Sequence, residues 1–191
     1  MSDFSIYFQL GWQHILDFNG YDHILFVLVL CCSYTLKEWK KILILVTAFT
    51  VGHSITLALA AFKFVQVNSS WIEFLIPVSI LATALYNLPK RRKQRSVTYL
   101  YVITLLFGLI HGLGFSNYLQ SLLGKETNIV GPLLSFNIGL EFGQLLIVFF
   151  AILLSELMLK IFRVTQRDWS FFLSSAVIGI SFIMALERIP L

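Results

Sequence analysis

The sequence predicts an all-α, polytopic membrane helix bundle of about six transmembrane helices, with both termini outside. Three observations predict it. Apolar residues make up 58% of the 191 and charged residues only 13%, where soluble domains average roughly 45–50% and about 25%. The apolar residues fall into long runs separated by short polar breaks. The basic residues then alternate in density from one break to the next. Water does not solvate so apolar a surface, which leaves lipid as the solvent.

A helix needs about 20 apolar residues to cross the hydrocarbon. Residues 21–36, 41–62, 70–88, 97–119, 129–162 and 169–189 meet or approach that length. The first run is short unless the stretch from Gly11 adds to it, and the fifth is long enough to tilt or emerge. The breaks carry turn and helix-start residues, such as Asn68-Ser69-Ser70 and the run 124–128. No linker or soluble domain is left over. The chain reads as one transmembrane domain, 1–191, in which residues 1–20 form an outer-leaflet segment ahead of six spans. The start, Met1 to Gly11, has no positive n-region and no small-residue cleavage site, so no cleavable signal is expected. The adjacent Cys31 and Cys32 lie inside an apolar run and read as packing residues.

Charge sets the orientation. Lys37, Lys40, Lys41, Lys90, Arg91, Arg92, Lys93, Arg95, Lys160, Arg163 and Arg167 fall on one side, and only Lys63, Lys125 and Arg188 on the other. The side richer in Lys and Arg is the cytoplasmic one. The expectation is a multi-pass protein of the cell (inner or plasma) membrane.

On that topology all four histidines gather toward the outer face. His14 precedes the first span, and Asp22 and His23 open it. His53 lies past the middle of the second, Glu73 near the outer start of the third, and His111 near the outer end of the fourth. Asn137, Glu141 and Gln144 occupy the outer half of the fifth, and Glu187 ends the sixth. Ionisable groups in hydrocarbon cost several kcal/mol unless paired, so they mark function more often than packing. For Glu73 and Glu187 the competing reading is contact with water or headgroups. The inner halves hold Asn87 and Glu156, the latter placed to pair with Lys160 at i, i+4.

Four motifs carry the chemistry. In the first, Gly11-Trp12-Gln13-His14 leads through Gly20 to Asp22-His23, and residues 11–18 suit a short helix lying on or dipping into the outer leaflet. Asp22 is a candidate ligand, a carboxylate orienting a ligating imidazole, or a helix N-terminal residue. The second is Gly52-His53-Ser54, in which Ser54 either supports the site or bonds the carbonyl four residues back. The third is Gly108-Leu109-Ile110-His111-Gly112, a G-x-x-x-G packing face beside a histidine. The fourth aligns Asn137, Glu141 and Gln144 on one stripe, either as site residues or as a hydrogen-bond ladder between helices. Together His14, Asp22, His23, His53, His111 and Glu141 make a candidate metal set, supported by Glu73, Ser54, Asn137 and Gln144. Imidazoles with carboxylates suit a borderline dication such as Ni²⁺, Co²⁺ or Zn²⁺.

At these residues the chain resembles the HupE/UreJ family of hydrogenase and urease accessory membrane proteins. The resemblance lies in G-x-D-H-I-L-F, H-S-x-T-L, H-G-x-G-F and F-N-x-G-x-E, with Glu73 ahead of Pro77 and Ser79, and covers nearly the whole chain. It implies a nickel permease or metal-uptake accessory, with His14, Asp22, His23, Glu73, His111 and Glu141 as functional positions. The chain departs from better-known members in the longer spacing from His14 to Asp22. Phe107 and Gly114 also stand where those members carry a second His and a Glu.

Two functions follow. The first is a divalent transition-metal transporter or metal-uptake accessory, which is not an enzyme. The alternative is a zinc-dependent intramembrane hydrolase acting on lipid or peptide at the outer leaflet. A lipid-sized cleft beside the metal favours the second; a polar conduit through the bundle favours the first. The expected partners are membrane lipid and the metal ion, with no nucleic acid. The glycine faces leave room for a homo-oligomer.

Overall fold

The computed structural model describes residues 3–88, 97–123 and 129–190. Among them every regular element is helical: α1 (Asp3–Ile15), α2 (Asp22–Cys31), α3 (Trp39–Ala61), α4 (Ser69–Asn87), α5 (Val97–Leu123), α6 (Val130–Lys160) and α7 (Gln166–Glu187), with a 3-10 turn at Leu36–Glu38 between α2 and α3. Four segments are long and apolar enough to cross a membrane: Leu36–Ala61, Ser69–Asn87, Val130–Lys160 and Gln166–Glu187. Asp22–Cys31 and Leu100–Ser116 are shorter apolar stretches beside them. The outward faces of α6 and α7 expose Phe149, Phe150, Leu153, Phe171, Phe172, Phe182 and Ile183. Such a belt on helices long and apolar enough to span marks a membrane protein.

The expected runs and the observed helices agree within a few residues, with two differences. The first run gives only the ten-residue α2, about 15 Å long. Eight of its ten residues are buried, Asp22 and His23 among them. A helix buried nearly all round belongs to a bundle's interior, and α2 packs against α3, α4, α6 and α7. The second difference is α1. It covers Asp3–Ile15 rather than residues 11–18, and it is seated on α6. Basic Lys90, Arg91, Arg92, Lys93, Arg95 and Lys125 lie outside the described residues.

Glycine brings the key helices together. A Cβ on Gly52 would overlap the Leu105 carbonyl, one on Gly108 the Phe49 carbonyl, and one on Gly112 the His53 carbonyl. The expected G-x-x-x-G face of α5 is therefore its contact with α3. A second seam joins α1 to α6, where Gly11 meets the Phe136 carbonyl and Gly139 the Phe8 carbonyl. Along it the Ser135 hydroxyl donates to the Phe4 carbonyl. At the opposite end of the bundle from the histidines, Glu156 pairs with Lys160 at 2.7 Å, as the i, i+4 spacing predicts.

Two glycine substitutions test the seam. Gly112→Val should lower the thermal midpoint in detergent, by the overpacking cost of about 1–3 kcal/mol or more. Gly179→Ala, on α7 with nothing within 4 Å of the added atom, should leave the midpoint unchanged.

Candidate metal centre

The two seams decide where the imidazoles go. The α3–α5 seam sets His53 and His111 beside Phe49, whose ring centroid lies 6.0 and 5.2 Å from theirs. The α1–α6 seam delivers His14, at the end of α1, against Phe115 at 3.9 Å and Phe136 at 6.0 Å. The buried helix α2 brings His23 in its first turn. The four rings then meet. His23 lies 4.7 Å from His14, 5.0 Å from His111 and 6.2 Å from His53, and His14 lies 6.0 Å from His53.

His14, His23 and His53 each offer one nitrogen, and these three atoms lie within 4.8 Å of one another. A tetrahedral ion with bonds of roughly 2.0–2.1 Å needs nitrogens about 3.3 Å apart. The rings therefore suit one ion after closing inward by about an ångström.

The donor set is bare. His14 Nε2, both nitrogens of His23 and of His53, and His111 Nδ1 are buried without a hydrogen-bond partner. Leaving a buried polar atom unpaired costs about 1–3 kcal/mol, so these orphaned atoms fit a ligand that uses their lone pairs. Ser79 sits beside the remaining nitrogen of His111. Its hydroxyl donates to the Ile76 carbonyl at 2.6 Å, and its oxygen lies 3.4 Å from His111 Nε2. With the hydroxyl proton spent, His111 Nε2 is the donor of that pair, which leaves the lone pair on Nδ1.

Asp22 supplies the buried carboxylate. Its Oδ1 accepts from the His23 amide at 2.9 Å, the local contact of a first-turn acid. The same oxygen is 3.1 Å from His23 Nδ1. That contact is close enough to be felt as charge, but off the direction a ring hydrogen bond needs, because Nδ1 stays unpaired. Asp22 Oδ2 faces Arg188 Nη1 at 3.6 Å. A cavity of about 290 Å³ joins these groups, lined by His14, Asp17, Asp22, His23, Glu73, His111, Phe115 and Arg188 among others.

Several sequence candidates lie elsewhere. Glu141 belongs to neither the three-nitrogen group nor the cavity wall. Its carboxylate accepts from Thr47 at 3.1 Å, and one turn on Gln144 accepts from Thr50 at 2.6 Å. The stripe on α6 thus forms two rungs of a ladder to α3, although Asn137 Oδ1 and Gln144 Nε2 remain buried and unpaired. Ser54 donates to the Thr50 carbonyl at 2.7 Å, the packing role open to it from the sequence. Glu73 is exposed at the cavity wall. Sequence reasoning missed Arg188 as a site residue. Its signal was position, at the end of the last apolar run.

The fold and the site define a class: a helical membrane protein with clustered, desolvated imidazoles opening to one end of its bundle. The family model described as HupE / UreJ protein matches residues 1–187, and the chain belongs to that family. Comparison with curated proteins and with solved structures gives no match.

The bare nitrogens make a stability prediction. In metal-free protein, His53→Phe should raise the thermal midpoint, because it removes unpaired atoms costing about 1–3 kcal/mol from a phenylalanine-lined site. A lower midpoint would mean that the His53 nitrogens have partners in solution.

Proposed function

We propose that the protein carries a divalent transition-metal ion, nickel-like in its ligand preference, across the cell membrane. Residues α2 to α7 make six crossings with both termini outside. The buried α2 is shielded by its neighbours, so its length need not match the lipid. The observation that carries the reading is the set of unpaired nitrogens on His14, His23, His53 and His111, next to the buried carboxylate of Asp22. Neutral imidazoles with one carboxylate suit Ni²⁺, Co²⁺ or Zn²⁺. Glu73 and Asp17 at the cavity wall favour arrival of a cation.

An inward route has support of its own. Below His111 and Ser79, Thr83 donates to the Ser79 carbonyl at 2.9 Å. Next comes Asn87, whose amide donates to the Val29 carbonyl at 2.7 Å and whose oxygen accepts from Ser33 at 3.0 Å. Ser33 lies 3.3 Å from Ser170, and Cys32 lies 3.6 and 3.7 Å from Ser170 and Ser174. Gln166 donates to the Cys32 carbonyl at 2.9 Å at the far end. This run favours transport over the hydrolase reading, as does a cavity of about 290 Å³, at the small end of ligand pockets.

Purified protein loaded with Ni²⁺, Co²⁺ or Zn²⁺ should retain about one ion per chain by elemental analysis. His53→Ala and His111→Ala should each weaken binding at least tenfold. Wild type and variants left equally metal-free after loading would end the metal reading. Proteoliposomes should accumulate the labelled ion; binding without accumulation would end the transport reading.

A further inference from the structure

We propose that Arg188 is the charge-selecting residue of the cavity. Its guanidinium stands on Asp22 as a resident monovalent cation, which an entering ion must displace. This inference rests on the metal-carrying reading and names what selects the ion.

Three observations carry it. First, Arg188 and Asp22 come from opposite ends of the chain, yet they line the same cavity as His14, His23 and His111. Second, their pair is asymmetric. The Asp22 side chain is 12% exposed and that of Arg188 32%, with the nearest atoms 3.6 Å apart. The carboxylate is fixed in the first turn of α2, whereas Arg188 follows the last residue of α7. The carboxylate is therefore the anchored partner and the guanidinium the one free to leave. Third, among the described residues Asp22 is the only buried carboxylate of the wall, since Asp17 and Glu73 are exposed. Its Oδ1 lies 3.1 Å from His23 Nδ1, one of the unpaired imidazole nitrogens.

The physical consequence is a charge threshold. A guanidinium is weakly hydrated and sits easily on a partly buried carboxylate. An alkali ion that replaces it brings the same charge, sheds a tighter hydration shell and gains little from imidazole. A transition-metal dication brings one more charge and takes the lone pairs that Arg188 leaves unused. Exchange at Asp22 is thus unfavourable for monovalent ions and favourable for dications that bind nitrogen. The outgoing guanidinium stays tethered beside the mouth, ready to return once the ion moves inward.

The test uses the full chain in detergent or nanodiscs, titrated with Ni²⁺ and Zn²⁺ alone and in the presence of Na⁺. Arg188→Gln should bind both dications about tenfold more tightly, and Na⁺ should compete with it where it does not compete with wild type. Arg188→Lys should restore the wild-type pattern. In parallel, a spin label on Ile189→Cys, read in a background that keeps Arg188, should gain mobility when Zn²⁺ is added. The native thiols of Cys31 and Cys32 are buried and do not compete for the label. Equal or weaker dication binding in Arg188→Gln overturns the proposal, and so does a label whose mobility ignores the metal. A merely structural pair would lower the thermal midpoint of Arg188→Gln without changing ion competition. Should Arg188→Gln fail to fold, the label still decides. If wild type binds no dication at all, the metal reading fails with the inference. If wild type binds dications but the variants do not differ, only the inference fails.

Discussion

Gly52, Gly108 and Gly112 bring the backbones of α3 and α5 into contact, and Gly11 and Gly139 do the same for α1 and α6. Lipid tails are as apolar as leucine, so burying leucine between helices gains little in a membrane. Close van der Waals approach and interhelical hydrogen bonds must hold the bundle instead. Both seams supply the close approach, and the α1–α6 seam an interhelical hydrogen bond as well. The Thr56 hydroxyl, beside Gly112, bonds carbonyls of its own helix at 3.2 Å, and the Ser135 hydroxyl reaches across to α1. A side chain larger than hydrogen in either seam would push the helices apart. It would also carry His53 away from His111, or His14 away from both.

What the seams gather is costly. His53 and His111 are almost wholly buried. Phe49 lies beside both and Phe26 beside His111, while Phe115 and Phe136 flank His14, and none of these rings offers a hydrogen bond. Neutral imidazoles tolerate such a setting better than carboxylates do, which fits a cluster of four histidines beside one buried acid. The acid itself is compensated by the α2 N-terminus and by Arg188. The remaining debt is the unpaired nitrogens. Structures keep groups of this kind where a ligand repays them, and a site already satisfied by water or protein would bind an ion less tightly.

The fold was largely legible from the sequence because hydropathy is a strong signal when lipid is the solvent. Residues 70–88 became α4 at Ser69–Asn87, with Asn68 accepting from the Ser70 amide as its cap. The same signal says less about the N-terminal region. Hydropathy reports how apolar a segment is, not whether lipid or protein surrounds it, so the short first run did not reveal the burial of α2. The docking of α1 depends on Gly139 of a helix more than a hundred residues away, which no local pattern reveals. The site was legible in its histidines, since each sits next to packing glycines or at a helix start. It was less legible on α6, where spacing put Asn137, Glu141 and Gln144 on one face but not which neighbour that face would meet. Thr47 and Thr50, unremarkable in a helix of the sequence, turned out to be the partners of Glu141 and Gln144.

The two ends of the bundle also differ in kind, and the difference bears on direction. Near the cavity the polar atoms are strong ligands without partners. Along α2, α4 and α7 they are hydroxyls, an amide and a thiol bonded to one another and to carbonyls. Passage through a membrane requires binding strong enough to capture an ion and weak enough to release it. A chain of imidazoles through the whole thickness would hold the ion too tightly to let it go. Neutral oxygens that must trade existing bonds for the ion hold it loosely. On the transport reading the asymmetry is therefore the expected design: capture at the histidines, then transfer to groups whose weak hold on the ion permits escape.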